Sequence, residues 1–412
     1  MNRAHEEEDM RRTVVLLTLI ALGLLTPAAQ AEEKAPAYTF KFSGYFKGDL
    51  VYDQSRVNSG NYALYVLDKA ENDYLSLTAR ESRFGLDFSW NEEDIRTDAR
   101  FEFDFYGLGV SSASLTSQEN KAAPMLRHAY VQLTKGRWSL LAGQTSDIIS
   151  PLVPRTANYT VLWDQGNIGY RRPQLRASTW ADASEKVKVS AAVGAFRTLG
   201  GDLDGDGVDD GADAAVPTVE GRLGLAAKLC EKRSVEIGFS GHYGKEEYQA
   251  DNVTNDVESW SANADLKFVC MNVFELAGEF FTGENLGTYY GGVGQTVNPV
   301  REEVRAQGGW IELSCKPVSR LWLNAGCGLD DPDDEDFVIA AGTTSTKSFI
   351  GKNSSVFGSV MYDLTSTVTA MLELSRLETT YLYKAYVDDE LWSDEKDFDD
   401  VRVQFSLKAA IK

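Results

Sequence analysis

Between Phe40 and Tyr52 every even-numbered position is apolar or glycine (Phe40, Phe42, Gly44, Phe46, Gly48, Leu50, Tyr52), while the odd positions include Lys41, Ser43, Lys47 and Asp49. A period of two places these sets on opposite faces of a strand. The run is 13 residues long, against about 5–6 for an ordinary globular strand. The pattern recurs at Ala99, Phe101, Phe103 and Phe105, opposed by Arg96, Asp98, Arg100, Glu102 and Asp104. Phenylalanine on one face and charges of both signs on the other suit a strand with lipid on one side and water on the other. In a soluble sandwich the apolar face would instead have to meet a second sheet.

Further segments obey the same rule. Val219, Gly221, Leu223, Leu225, Ala227 and Leu229 alternate with Glu220, Arg222 and Lys228, and Val401, Val403, Phe405, Leu407, Ala409 and Ile411 with Arg402, Gln404, Ser406 and Lys408. About sixteen such segments are predicted, at 40–53, 74–90, 95–106, 125–134, 137–146, 166–179, 186–198, 218–229, 234–244, 258–269, 273–284, 303–314, 320–329, 353–362, 367–379 and 399–411. The connections alternate between short (Lys135-Gly136, Cys230 to Arg233, Cys270 to Asn272) and long (54–73, 107–124, 147–165, 199–217, 245–257, 285–302, 330–352, 380–398). Short periplasmic turns and long outer loops define an all-β class, a transmembrane antiparallel β-barrel of about 16 strands with outer-membrane lipid as its surroundings. Tyr52, Trp90, Tyr106, Trp138, Tyr243, Trp260 and Tyr362 fall near strand ends, as interfacial girdles require.

Residues 1–31 read as a secretory signal: Met10-Arg11-Arg12, an apolar run from Val14 to Leu25, then Ala29-Gln30-Ala31. The acidic Glu6 to Asp9 ahead of the run makes Met10 an alternative start. Residues 32–39 then form a short periplasmic segment, and 40–412 the barrel, with no plug domain before the first strand. Cleavage after Ala31 shifts the net charge from −21 to −20. A chain so acidic excludes nucleic acid as a partner, and most of the charge is expected on the long loops. Cys230, Cys270, Cys315 and Cys327 allow three full pairings. The first three stand at the same end of alternate strands, about 9–10 Å apart, beyond disulfide reach, so free thiols are expected.

Several motifs, Phe42-Ser43-Gly44-Tyr45, Ser82-Arg83-Phe84-Gly85-Leu86, Leu126-Arg127-His128-Ala129-Tyr130, Leu141-Ala142-Gly143-Gln144-Thr145 and Gly169-Tyr170-Arg171-Arg172-Pro173-Gln174-Leu175-Arg176, resemble those of the DcaP-like outer-membrane porins. The resemblance is clear over residues 40 to 180. It implies a sixteen-stranded homotrimeric channel whose third loop folds inwards and whose basic constriction passes small anions, dicarboxylates among them. The family's N-terminal helical extension is not seen, and Ala410-Ile411-Lys412 stands where bacterial porins commonly end on an aromatic residue.

The residues support a constriction independently. Loop 146–165 carries Ile148, Ile149, Leu152, Val153, Tyr159, Leu162 and Trp163 with two prolines, more apolar surface than a solvated loop holds unless it packs on something. Candidate constriction residues are Arg80, Arg83, Arg100, Arg127, Arg171, Arg172 and Arg176. By alternation Arg83, Arg100, Arg172 and Arg176 face the lumen. Arg80 is ambiguous, because the phase slips between Ala79 and Ser82 as at a bulge, and Arg127 and Arg171 share the phase of apolar neighbours. A ring of guanidinium groups in a narrow pore favours anions and grips carboxylates. The opposing reading is that these arginines pair with Asp87, Glu102 and Asp104 along the wall. A general or cation-preferring pore is the alternative function, since acidic loops repel anions, and a surface adhesin without conductance is the alternative of another class.

A second motif lies in the 199–217 loop. Asp202, Asp204, Asp206, Val208, Asp210 and Asp213 occupy positions 1, 3, 5, 7, 9 and 12 of a twelve-residue run with Gly207 at the sixth, the spacing of a calcium loop. It resembles the loops of thrombospondin-type and dockerin repeats as much as an EF-hand, and a structural Ca2+ is expected. Asp stands at position 12 where Glu is usual, and Asp209 at the normally apolar eighth. After the signal only His128 and His242 remain, on distant strands, and no Gly-x-Ser-x-Gly elbow is present. No catalysis is expected.

Overall fold

A computed structural model describes residues 38–57, 62–68, 72–107, 122–250 and 253–411, so the signal segment and most of residues 32–39 lie outside it. The strands are β1 (Thr39–Asp53), β2 (Tyr74–Thr78), β3 (Arg83–Glu92), β4 (Ile95–Gly107), β5 (Ala123–Lys135), β6 (Trp138–Ser146), β7 (Arg171–Ser184), β8 (Val187–Phe196) and β9 (Thr218–Cys230). They continue as β10 (Arg233–Ala250), β11 (Val253–Cys270), β12 (Phe274–Glu284), β13 (Arg305–Val318), β14 (Leu321–Pro332), β15 (Lys347–Asp363), β16 (Val368–Val387) and β17 (Glu390–Ile411). The sheet is antiparallel and closes on itself, β1 pairing with β17 from Gly44↔Ile411 to Asp53↔Arg402.

β2 and β3 both pair with β1, at Asp49–Asp53 and Thr39–Tyr45 respectively. They are two halves of one span, broken where the sequence phase slips, so the barrel has sixteen spans. Its burial is inverted relative to a soluble protein. Lys47, Asp49 and Asp53 are buried in the lumen, whereas Leu50 between them is 43% exposed on the outer surface. Outward Leu, Val and Phe side chains recur on nearly every strand, a continuous apolar surface that lipid rather than water must cover. Tyr52, Trp138 and Tyr362 are exposed at strand ends as expected. Tyr106 is not. The register of β4 on β5 shifts between Asp104 and Gly107, and Tyr106 turns inward to stack on Tyr159 at 4.3 Å.

Two predicted long loops are strands. Residues 245–250 and 253–257 continue the β10–β11 ladder up to Ala250↔Val253, and 380–398 form a hairpin up to Val387↔Glu390 around Asp388 and Asp389, both at positive φ. These extensions stand above the apolar belt, so neither face needs to be apolar and the hydrophobic period vanishes. The opposite error occurs at 166–170, which belong to the inward loop, since β7 begins only at Arg171. All four cysteines are free.

Candidate channel constriction

The third loop (147–170) enters the barrel and is buried there: Ile148, Ile149, Ala157, Leu162, Trp163, Asp164, Gln165 and Ile168 are all nearly inaccessible. A buried loop must satisfy its backbone N–H groups, and inward glutamates do so. The amide of Ile148 donates to Glu220 on β9 (2.9 Å) and that of Leu152 to Glu279 on β12 (2.7 Å). The Arg155 amide donates to Glu312 on β13, and Ala157 and Asn158 both donate to Glu373 on β16 (2.6 and 3.2 Å). Lys47 and Gln404 close the series by donating to the Ala157 carbonyl, each at 2.8 Å. Each such hydrogen bond contributes about 0.5–1.5 kcal/mol net, so together these carboxyl groups hold the loop against the arc from β9 round to β1.

The loop apex seats on glycines. A Cβ on Gly166 (φ +110°) would lie 2.1 Å from the Gly309 carbonyl, and one on Gly328 would lie 2.0 Å from that of Gln165. Val161, Leu162 and Asp164 all have positive φ, a strain of about 1–3 kcal/mol each that only over-determined packing sustains. The Gln165 side chain donates to Ala63 and Leu64 of the first loop, and Trp163 stacks on Tyr290 of the sixth at 4.7 Å. Burial, reinforced by Asp330, pushes the Asp164 carboxyl well above its ordinary value against a bond from the Gly294 amide.

With the loop on that arc, the passage is bounded by β3 to β8. A cavity of about 300 Å³ lies between loop and wall, with Tyr45, Glu81 and Arg83 on the wall side, Ile149 to Val153 on the loop side and Arg171 at its margin. The arginines divide into three groups. Arg83, Arg100 and Arg127 pair with Asp87, Glu102 and Asp104: Arg83 lies 3.4 Å from both Glu102 and Asp104, Arg100 2.9 Å from Asp87, and Arg127 2.6 Å from Asp104. For these three the wall-pairing reading holds. Arg127 points inward because it is the extra residue of a β-bulge, Glu102 pairing with His128 and Phe103 with Leu126. It is buried beneath Tyr159 at 4.9 Å.

Arg172 corrects the sequence reading. It faces inward but is 1% exposed, 3.0 Å from Asp147 and 3.8 Å from the centre of the Tyr289 ring. It is a clamp between the third and sixth loops, shut off from the passage. Arg80 stands in the break between β2 and β3, donating to the Phe105 carbonyl (3.2 Å) and lying over Tyr106. The remaining two carry charge without an ion pair among the described residues. Arg171 lies near Trp163 and Tyr170, with Nε and Nη1 unpartnered. Arg176 is half-buried on the inner face of β7, with Glu220, Tyr130 and Asp147 as its electrostatic neighbours.

His128 meets Thr145 at 2.9 Å and Glu102 at 3.7 Å; His242 is buried between Ser259 and Ser261 and stacks on Tyr289. The fourth loop brings together Asp202, Asp204 and Asp210. Asp206 instead accepts the Val208 amide (2.7 Å), and neither Asp206 nor the exposed Asp213 is in that group of three carboxylates. Asp209 accepts from the Gly211 amide (3.0 Å) at the start of the one-turn helix α1 (Asp210–Asp213) and pairs with Arg197. Glu220, Glu279, Glu312 and Glu373 were missed. Each sits on the polar face of its strand, and asking what satisfies the amides of a buried loop would have found them.

A closed barrel of sixteen antiparallel spans, apolar outside, polar inside and narrowed by its third loop, is an outer-membrane barrel of the porin type. Among solved structures it is similar to the outer membrane channel DcaP of Acinetobacter baumannii, with a TM-score of 0.69 and 17% identity over 93% of this chain and 100% of that one. It is also similar to an anion-selective porin from Comamonas acidovorans (TM-score 0.54, 12% identity, 91% and 100% covered). The trimer form of OmpT from Vibrio cholerae gives a TM-score of 0.53 at 11% identity, with 91% and 100% covered. No model of a protein family matches the sequence, and no curated protein matches it either. The resemblance to DcaP-type channels read in residues 40 to 180 therefore extends, as fold, over the whole barrel.

Proposed function

We propose that this protein is a homotrimeric diffusion channel of the outer membrane that favours small anionic solutes, dicarboxylates among them. The observation that carries the preference is the charge balance along the passage. Asp87, Glu102 and Asp104 offset Arg83, Arg100 and Arg127, while Arg171 and Arg176 have no ion-pair partner among the described residues. A net positive constriction selects anions even beneath an acidic mouth, because exposed charges farther than about 8–10 Å are screened in physiological salt. The trimer is supported by the trimer form of the Vibrio cholerae protein, a barrel of the same fold.

A second reading, a general or cation-preferring pore, is favoured by the overall charge of −21. The zero-current potential of the purified protein in a planar bilayer under a potassium chloride gradient separates them. A chloride-selective sign with conductance steps in threes is expected. A potassium-selective sign overturns the anion preference, and absence of conductance overturns the channel in favour of an adhesin.

A further inference from the structure

We propose that Asp202, Asp204 and Asp210 form a divalent-cation site of calcium type that fastens the fourth outer loop to the β10–β11 hairpin. One oxygen from each of these carboxylates lies within 4.8 Å of the others. Oxygens bound to one Ca2+ at about 2.3–2.6 Å are at most about 5 Å apart, so the three can share an ion without rearrangement.

An acidic cluster alone would be a solvated patch, but Asp210 is not solvated. It is completely buried; one oxygen accepts the Leu203 amide at 2.9 Å, and the other has no hydrogen-bond partner. An uncompensated buried carboxylate is costly, and the neighbouring basic residues do not offset it. Arg197 is engaged by Asp209, while Arg301 donates to the Leu203 carbonyl at 2.9 Å and lies over Tyr248. Among the described residues no lysine or arginine pairs with Asp202, Asp204 or Asp210. A cation between the three carboxylates supplies the missing charge.

The surrounding backbone fits that role. Both oxygens of Asp202 gather the loop through the Gly205 and Gly207 amides (2.8 and 3.2 Å), and both glycines adopt positive φ. Asp204 accepts the Gln249 amide of β10 at 2.8 Å. An ion held by Asp202, Asp204 and Asp210 therefore joins both ends of the acidic run to the hairpin beside it. Three flexible carboxylates with water completing the shell suit Ca2+, which takes six to eight oxygens, better than Mg2+, which demands a near-octahedral site.

The test uses the full mature chain, refolded in detergent and freed of metal with a chelator. Titration calorimetry with calcium chloride is expected to show one site per chain. Asp204→Asn and the exposed Asp202→Asn are expected to weaken it at least tenfold, with the heat-modifiable mobility of the barrel unchanged. Digestion with a protease that cuts after acidic residues reports the loop directly, because residues 199–217 contain no lysine or arginine for trypsin. Calcium is expected to slow cleavage there at least tenfold in the wild type and not in the variants. Absence of binding heat at millimolar calcium, or binding that neither substitution weakens, overturns the proposal.

Discussion

Arg176→Gln is the perturbation that most directly tests the charge balance. Arg176 makes no ion pair among the described residues, so its removal leaves no carboxylate orphaned and subtracts one positive charge from the passage. A unit charge acting through water on an ion about 6 Å away amounts to about 0.7 kcal/mol. That is roughly threefold in the local concentration of each ion and, since anion and cation respond oppositely, roughly tenfold in their ratio. The reciprocal variant is Asp87→Asn. Asp87 and Arg100 pair at 2.9 Å with side chains each 32% exposed, so neutralising the carboxylate leaves Arg100 to Glu102 alone and adds one net positive charge to the lumen wall. Permeability ratios from zero-current potentials at about 0.1 M salt should fall about tenfold towards potassium for Arg176→Gln and rise by a similar factor towards chloride for Asp87→Asn. Both shifts should fade at 1 M salt, where the screening length is about 3 Å. Ratios that do not move, or that move in the same direction in both variants, refute the assignment of this passage as the selective element.

Arg172→Gln should behave differently from Arg176→Gln: it leaves Asp147, 1% exposed in its side chain, without its partner, a loss of about 3–5 kcal/mol. Its readout is a lower denaturation midpoint and a protease-sensitive third loop, and a loss under about 1 kcal/mol would contradict the clamp. Gly166→Val places a Cβ where the Gly309 carbonyl stands 2.1 Å away; the loop must lift, and single-channel conductance should rise and become noisier, whereas unchanged conductance would contradict the seat. Asp164→Asn tests a pH dependence. The Asp164 carboxyl is held above its ordinary value by burial and Asp330, so the folded state favours its proton; the stability it contributes is complete below the ordinary carboxylate range and lost as pH rises through the raised value. The variant, neutral throughout, should gain midpoint temperature over the wild type as pH increases from 4 to 8, and a gap that narrows would contradict the sign.

The barrel was legible because lipid outside and water inside impose one period on every span, and Phe40 to Tyr52 display it without interruption. Legibility ended where that physics ends. Above the belt, the hairpin extensions at Lys245–Ala250 and Thr380–Val387 have no lipid on their outer face and pack inward on loops (Tyr248, Tyr381 and Leu382 are buried), so no lipid period marks a strand, and the second turns at Asp388 and Asp389. Inside the lumen, alternation tells which residues face inward but not whether water reaches them. Arg172 and Arg176 share a phase on one strand, yet one is sealed under Tyr289 and the other looks into the passage. What separates them is a loop that comes from 147–170 and a ring from the sixth loop, partners that no local pattern encodes. Bulges defeat the reading in the other direction. Arg127, in sequence phase with the outward Val131, is carried inside as the single extra residue of a bulge on β5. The inward loop and the arginines around it were thus legible, but which of those arginines are paired and which are not is decided by tertiary carboxylates. Asp87, Glu102, Asp104 and Asp147 neutralise four guanidinium groups, and the proposed selectivity therefore rests on the charges they do not reach.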